Sequence, residues 1–417
     1  MTNRILQGQL FTVALGLQAP WIVEDIRFEP EQGEIHFELT CQGQRLSCPA
    51  CGAEGQPIHD RPQRSWQHLH FFQYRAYLHA GVPRVKCAGC GKVTQVPVPW
   101  ARPGSGFTLL LDALVLTLAR KLPIRQIAAL LGVGEKRIQQ AITVHVEAAR
   151  ARESYAEVRR LGVDEKHVGR LGYLTLFHDV ERRRVVFGTE GRDAKTFEAF
   201  RKDFAAHEGE TSSIQLVTMD MSKAFQAGAR EVLPDAKVCF DGFHVAKLVN
   251  EALDAVRREE VKQEADLKGI RWGTLKAPQK WTAAQTTDMD WLQDSGLKTA
   301  RAWRLKERWR EIHQWARRGQ PAEPLYNAWI SWARRCRLAP FKKLGQTLRE
   351  HLPGILNAYE HHVSNAAAES INSQIQAAIV RARGYRNLNN LLNVIYLVTG
   401  KLAHLPSSPY AQNSVPL

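Results

Sequence analysis

Four of the seven cysteines stand in two pairs of one spacing, Cys48-Pro-Ala-Cys51-Gly and Cys87-Ala-Gly-Cys90-Gly. A two-residue gap lets both sulfurs of a pair face one ion, and the following glycine relieves the tight turn that aims backbone amides at them. Together Cys48, Cys51, Cys87 and Cys90 offer four soft thiolates, which suit a tetrahedral Zn2+ with no open position, a structural site. The intervening stretch is long for a compact ribbon and reads as strands around Phe71, Phe72, Tyr74, Tyr77 and Val85. His59, His68, His70 and His79 lie in it as optional ligands. Cys41, Cys239 and Cys336 have no partner at ligand spacing and read as buried apolar residues.

The second constellation is acidic. From about Arg159 the pattern gives a strand leading into Asp164, strands at 172–177 and 185–187, a helix at 193–206 with Phe197, Phe200 and Phe204 inward, a strand at 214–219 ending in Asp220, a helix at 222–233, and a short strand at 238–240 ending in Asp241. The order β-β-β-α-β-α-β builds a ribonuclease-H-like sheet, in which the first and fourth strands lie parallel and adjacent. Asp164 and Asp220, each at the carboxyl end of its predicted strand, would then meet. Two carboxylates that close repel unless a cation sits between them, which marks a metal site. Hard oxygen ligands imply magnesium or manganese, and a third carboxylate would complete the shell.

The best candidate for that third group lies in Ser364-Asn-Ala-Ala-Ala-Glu369-Ser-Ile-Asn372-Ser-Gln-Ile-Gln376. Ser364 reads as a helix cap. Ile371, Ile375 and Ile379 recur at helical spacing and face the sheet, while Glu369, Asn372 and Gln376 share a polar stripe. Arg381, Arg383 and Arg386 follow directly as candidate DNA-backbone contacts.

Other elements must deliver DNA to such a site. Behind a proline-rich break at 96–103 the pattern turns helical: an apolar segment at 109–122, a helix at 124–131, a Gly132-Val-Gly134 turn and a helix from Glu135 to Val146. Gly132 ends the first helix of the pair, Ile138 and Ile142 bury the second, and Lys136, Arg137, Gln139 and Gln140 point outward. This is the spacing of a helix-turn-helix with a recognition helix. Between Asp220 and Glu369 the chain is helical for most of its length and holds Trp272, Trp281, Trp291, Trp303, Trp309, Trp315, Trp329 and Trp332. Ala302, Leu305, Trp309, Ile312 and Ala316 form a buried or partner-facing seam. Arg301, Arg304, Lys306, Arg308, Arg310, Arg317 and Arg318 crowd the other faces, a repulsion that phosphates would relieve.

The composition agrees with a polyanionic partner: 57 Lys+Arg against 42 Asp+Glu give a net charge of +15 and a pI near 9.6. No run of about 18 apolar residues would span a bilayer, and the first residues lack a secretory pattern. A cytoplasmic protein with reduced thiols is expected.

Asp164, Asp220 and Glu369 in these contexts resemble the DDE triad of bacterial insertion-sequence transposases, most closely the ISL-three group. That group also begins with a cysteine-knuckle module and a helix-turn-helix, so the resemblance covers nearly the whole chain. It is carried by Gly162-Val-Asp164-Glu-Lys, Val217-Thr-Met-Asp220-Met-Ser, Asp241-Gly-Phe-His244-Val-Ala-Lys and the Glu369 segment. Where the group often writes Asn-Gly, this chain has Asn365-Ala366. The resemblance implies a DNA transposase that binds element ends, cleaves them by metal-activated water and joins the 3′ ends to target DNA. Asp164, Asp220 and Glu369 would be catalytic and hold Mg2+ or Mn2+, while Asp241, His244 and Asn372 would be accessory. Double-stranded DNA (terminal repeats and target) is the implied partner, with a homodimer or higher assembly at the nucleoid. The organisation expected is multidomain α/β: a zinc ribbon (1–100), a helix-turn-helix (104–150), a ribonuclease-H-like catalytic domain (158–250 and 360–400) interrupted by an all-α insertion (251–359), and a tail (401–417). The rival readings are a zinc and helix-turn-helix regulator with an inactive nuclease-like domain, and a nuclease without strand transfer.

Overall fold

The computed structural model describes residues 2–363 and 366–410. Ser364, expected as a helix cap, and Asn365 lie outside the described residues, as does the tail from 411. The chain divides into two compact units, one running to Arg150 and including the residues from Ala403 onward, the other spanning Ala151–Leu402.

The first unit opens with a helix the sequence pattern does not announce, α1 (Thr2–Ala14). Strands follow: β1 (Trp21–Glu29), β2 (Glu34–Cys41), β3 (Arg45–Leu46), β4 (Gln56–Asp60), β5 (Gln63–Gln67), β6 (Arg75–Gly81), β7 (Arg84–Lys86) and β8 (Val93–Gln95). They form two sheets, β1-β2-β6-β5 and β3-β4-β7-β8. Strict alternation along β2 buries Ile35, Phe37, Leu39 and Cys41 on one face. There they meet Trp21 and Trp66, each edge-on to Trp100 at 4.8 and 5.5 Å. Tyr77 and Val85 lie in strands as expected, but Phe71 and Phe72 do not. They belong to a tight turn closed by reciprocal Phe71–Tyr74 backbone bonds, with Phe72 at φ 52°. Aromatic content alone does not separate such a turn from a strand.

Three helices complete this unit: α2 (Leu109–Ala119), α3 (Ile124–Leu131) and α4 (Glu135–Arg150). Thr108 caps α2 through the Leu111 amide. Gly132 ends α3 in the left-handed region at φ 66°, which only glycine occupies cheaply. Ile138 and Ile142 are fully buried on α4. Asp112, also fully buried, accepts from Arg102 Nε at 2.7 Å and pairs with His145 Nε2 at 2.9 Å, tying α2 to α4.

In the second unit the elements run β9 (Arg160–His167), β10 (Tyr173–Asp179), β11 (Arg184–Glu190), α5 (Lys195–Ala206), β12 (Leu216–Met219), α6 (Lys223–Val232) and β13 (Lys237–Phe240). The sheet order is β11-β10-β9-β12-β13. β9, β10 and β11 form an antiparallel meander, and β12 and β13 continue the sheet parallel to β9. Phe197, Phe200 and Phe204 of α5 are buried as expected, Phe200 stacking on Phe177 at 4.4 Å. Each contributes about 1.5–3 kcal/mol by leaving water.

Eight helices follow: α7 (Gly242–Glu260), α8 (Arg271–Leu275), α9 (Ala283–Asp294), α10 (Lys298–Arg317), α11 (Glu323–Arg335), α12 (Ala339–Glu360), α13 (Ala366–Arg381) and α14 (Leu388–Thr399). The seam of Ala302, Leu305, Trp309, Ile312 and Ala316 is buried on α10. The cations beside it are less crowded than the sequence suggests. Lys306 is buried, its Nζ donating to the Lys276 carbonyl at 3.2 Å and to Glu307 Oε1 at 2.5 Å. Arg310 pairs with Glu307, and Arg308 with Glu311. Acids three positions apart, one helical turn, already neutralise them. Of the tryptophans, Trp303, Trp309 and Trp329 are core, whereas Trp272, Trp291, Trp315 and Trp332 are exposed. α14 lies on the sheet through the Tyr396 hydroxyl, which accepts from the Gly188 amide at 2.9 Å.

Candidate active site

The register of three parallel strands determines which side chains meet. Gly162 of β9 lies opposite Thr218 of β12, and Thr218 opposite Cys239 of β13. Side chains two residues apart share a face, so Asp164, Asp220 and Asp241 form the next row, with neighbouring strands about 4.8 Å apart. Asp220 and Asp241 directly follow β12 and β13. Asp164, expected just past a strand end, instead lies inside β9, which β10 holds in pairing as far as His167. On its β12 side the pairing stops at Gly162, so Asp164 still stands where the parallel ladder ends.

Each aspartate accepts a hydrogen bond from a backbone amide just after it in the chain. Asp164 Oδ1 accepts from the Glu165 amide at 2.9 Å, Asp220 Oδ1 from the Ser222 amide at 2.9 Å, and Asp241 Oδ1 from the Phe243 amide at 2.7 Å. His244 Nε2 stands 3.5 Å from Asp241 Oδ2. From α13, Asn372 donates its side-chain amide to Asp164 Oδ2, so the helix carrying Glu369 is fastened to the first aspartate. Ile371 and Ile375 are buried beneath it, and Ile379 only half so. Glu369 is exposed and, with Asn372 and Gln376, lines the same cleft of about 530 Å3 as Asp164, Asp220, Asp241 and His244. The ligand atoms of the three triad residues are not all within 4.8 Å of one another. They line one cleft without closing into a single-ion cage.

The cleft also contains residues that the sequence reading does not single out: Glu165, Lys166, His178, Phe243 and Ser373. Glu165 is a fifth carboxyl, held above its ordinary range by burial and then by Asp220, with Asp164 adding to the effect against Arg192. Burial pulls the Lys166 ammonium down. His178, at the cleft floor, is pushed down to about 4 by burial and is neutral at pH 7. The predicted strand stops at Phe177, one residue short of it, and the strand predicted before Asp164 ends there, whereas β9 runs on through Glu165 and Lys166 to His167. Arg381, Arg383 and Arg386 are exposed at the end of α13, away from the cleft lining.

In the first unit the two knuckles are built alike. The Gly52 amide donates to the Cys48 carbonyl at 2.9 Å, and the Gly91 amide to the Cys87 carbonyl at 3.0 Å, with both glycines at positive φ. The four sulfurs lie within 4.8 Å of one another, Cys51 to Cys87 at 3.5 Å and Cys48 to Cys90 at 3.8 Å. A tetrahedral ion with Zn–S bonds of about 2.3 Å spaces its sulfurs by about 3.8 Å, so the set fits structural zinc. The Cys90 amide beside Cys87 Sγ holds that thiol down at about 7, favouring the thiolate a metal needs. None of the four histidines of the stretch belongs to this cluster.

On α4, Lys136 and Gln140 are exposed as expected. Arg137 is exposed too, although it and Gln139 also make contacts within the unit. Arg137 Nη2 donates to the Gly106 carbonyl at 2.9 Å, and its guanidinium lies 4.2 Å from the Phe107 ring centre. Gln139 is half-buried and donates to Thr143 Oγ1 at 3.3 Å. Gly106 permits the first contact, since a Cβ there would meet the guanidinium at 2.6 Å.

Comparison with known proteins agrees with this arrangement. Residues 161–395 match the family model of the ISL3 transposase domain. Residues 96–146 match the helix-turn-helix domain of transposase family ISL3, and residues 44–90 the zinc-finger of the IS204/IS1001/IS1096/IS1165 transposases. The transposase for insertion sequence element IS1557 of Mycobacterium tuberculosis is 28% identical over 97% of this chain and 98% of its own length. The transposase for element IS1001 of Bordetella parapertussis is 25% identical over 88% of this chain and 92% of its own. No helix among the described residues is long and apolar enough to cross a membrane. The zinc-finger and helix-turn-helix domains point to DNA as the partner, and the chain belongs to the ISL3 family of insertion-sequence transposases, with a DNA transposase function.

Proposed function

We propose that this transposase cuts element ends and joins them to target DNA in the cleft of the second unit, with Asp164, Asp220 and Glu369 holding divalent cations. The observation that carries the reading is that these three residues, from β9, the end of β12 and α13, line one cleft. The donor set fits magnesium or manganese: hard carboxylate oxygens lining one cleft, with Glu165 beside them held above its ordinary range by burial first and by Asp220 second. Such ions, when bound, supply Lewis acidity toward the scissile phosphate and make water a competent nucleophile near neutral pH.

The protein's own groups supply the positioning. Asn372 fixes the Asp164 carboxylate, and neutral His178 beneath it adds no charge. Asp241 and His244 form an accessory pair at the edge of the cleft. The meander followed by parallel strands supports a ribonuclease-H-like fold for 158–250 with 360–400, and the helices between β13 and α13 support an all-α insertion at 251–359. The zinc ribbon (1–100) and helix-turn-helix (104–150) would read element ends, with Lys136 and Gln140 presented outward and Arg381, Arg383 and Arg386 on the backbone. Residues 401–417 form the tail. Pairing two ends calls for at least a dimer, and DNA binding would keep it at the nucleoid.

The test uses the full chain with Mg2+ and a labelled duplex carrying the terminal repeat of its element. Nicking plus joined product is expected, and Asp220→Asn or Glu369→Gln should abolish both while duplex binding persists. Nicking without joining would favour a nuclease, binding without cutting a regulator, and an active Glu369→Gln variant would remove that residue from the triad.

A further inference from the structure

The cleft wall contains one group that carboxylate and cation chemistry does not use. Phe243 is 62% exposed, and its side chain lines the cleft with Asp164, Asp220 and Glu369. It sits in the first turn of α7, where its amide is held by Asp241 Oδ1 at 2.7 Å. Its ring touches the His244 ring edge-on, with centres 5.9 Å apart. The backbone is thus anchored next to the row of aspartates while the face of the ring is left to solvent. A phenyl held in water at the mouth of a polar cleft gains free energy only when something flat and apolar covers it.

The partner established for this chain is DNA, and a phosphodiester entering the cleft brings the bases on either side of it. A base within a duplex has both faces covered by its neighbours, so it can cover Phe243 only after leaving the stack. Base-on-aromatic stacking is then the natural contact, tolerant of sequence because every base has a π-face. In the same cleft lining, α13 offers Ser373 and Gln376, whose hydroxyl and amide suit the hydrogen-bonding edge of the same base.

We infer that Phe243 stacks on an unpaired nucleobase flanking the scissile phosphate, so that the cleft acts on a locally opened duplex end. The inference rests on the proposed cleavage site, and the test keeps the two apart. The full-length protein is assayed with Mg2+ on two forms of the terminal-repeat duplex, one fully paired and one with a single mismatch beside the cut, each also made with 2-aminopurine at the flanking position. Phe243→Ala is expected to slow cleavage of the paired duplex about tenfold or more and to recover most of that loss on the mismatched one. Phe243→Trp should keep both rates. On the paired duplex the wild type should brighten 2-aminopurine, whose emission the duplex stack quenches and a phenyl ring does not, whereas Phe243→Ala should leave the probe dim. Equal loss on both duplexes, or no loss on either, overturns the stacking role while leaving the catalytic reading intact. Failure of the wild type to cut either duplex overturns both.

Discussion

Gly162→Ala tests the architecture of the cleft with one methyl group. Gly162 faces His178 across the β9–β10 ladder and precedes Asp164 on the same face of β9. A Cβ at position 162 would collide with the His178 ring: even Cδ2, the most distant of the three atoms it meets, would be at 2.9 Å, where ordinary contact begins near 3.4 Å. Cε1 and Nε2 stand closer still, so the ring must withdraw by much more than about 0.5 Å, and it is only 4% exposed. Overpacking of that kind costs about 1–3 kcal/mol, and a buried ring places the cost toward the upper end. For a unit of this size the melting temperature should fall by roughly 5–10 °C. Activity should fall further than stability explains, because a shift of about 1 Å at a reacting group can cost about a hundredfold. Thermal unfolding followed by fluorescence, together with terminal-repeat cleavage, reads both effects. Adding His178→Ala should relieve the clash and restore part of each, a coupling that independent sites would not show. A Gly162→Ala protein that melts and cuts like the wild type would refute the packing argument, as would a double variant no better than the single one.

Two further outcomes follow from the first unit and the buried imidazoles. Cys87→Ser removes one of four thiolates; since structural zinc in small modules is worth about 10–16 kcal/mol against a net domain stability of about 5–15 kcal/mol, stoichiometric zinc and end binding should both be lost. Metal analysis beside a gel-shift assay checks this, and full zinc content in the variant would discredit the site. His178 and His68 are both pushed down to about 4 by burial, from 6.5 in the unfolded chain. The unfolded state therefore binds protons that the folded state refuses, and stability should decline as pH falls from about 6.5 toward 4, by up to about 3 kcal/mol per histidine. Urea unfolding at pH 7 and pH 4.5 measures the decline; a His178→Gln variant with the same pH sensitivity as the wild type would remove that residue from the explanation.

The features readable in the sequence were those fixed by local chemistry. Cysteine spacing with a following glycine located the zinc knuckles because the turn and the ligand geometry are both local. Gly132, Ile138 and Ile142 located the helix pair for the same reason, and the strand-helix order from Arg160 to Phe240 followed from periodicity. What escaped was set by contacts between distant segments. Arg137 is exposed as the sequence suggests, but its contacts with Gly106 and Phe107, some thirty residues earlier, are invisible in the sequence. Lys306 resembles its exposed neighbours until Lys276 and Glu307 are seen to enclose its ammonium. His178 carries no motif, Phe243 has no role of its own within the Asp241-Gly-Phe-His244 stretch, and both acquire meaning only from the cleft around them.

Register narrows the choice of metal ligands but leaves one ambiguity, since Asp220 and Asp241 both follow parallel strands and share a row with Asp164. Their bonding separates them. Asp241 caps α7 through Oδ1 and faces His244 with Oδ2, so binding a cation would cost it a helix cap or an imidazole contact. Asp220 makes its turn bond through Oδ1 alone, to Ser222, and directly follows β12, which lies between β9 and β13. In the proposed reading a cation would be held by Asp164 and Asp220, with Glu369 on the helix that Asn372 fastens to Asp164. This bonding supports Asp220 as the second ligand and assigns Asp241 to holding the start of α7, with His244 and Phe243, against the cleft.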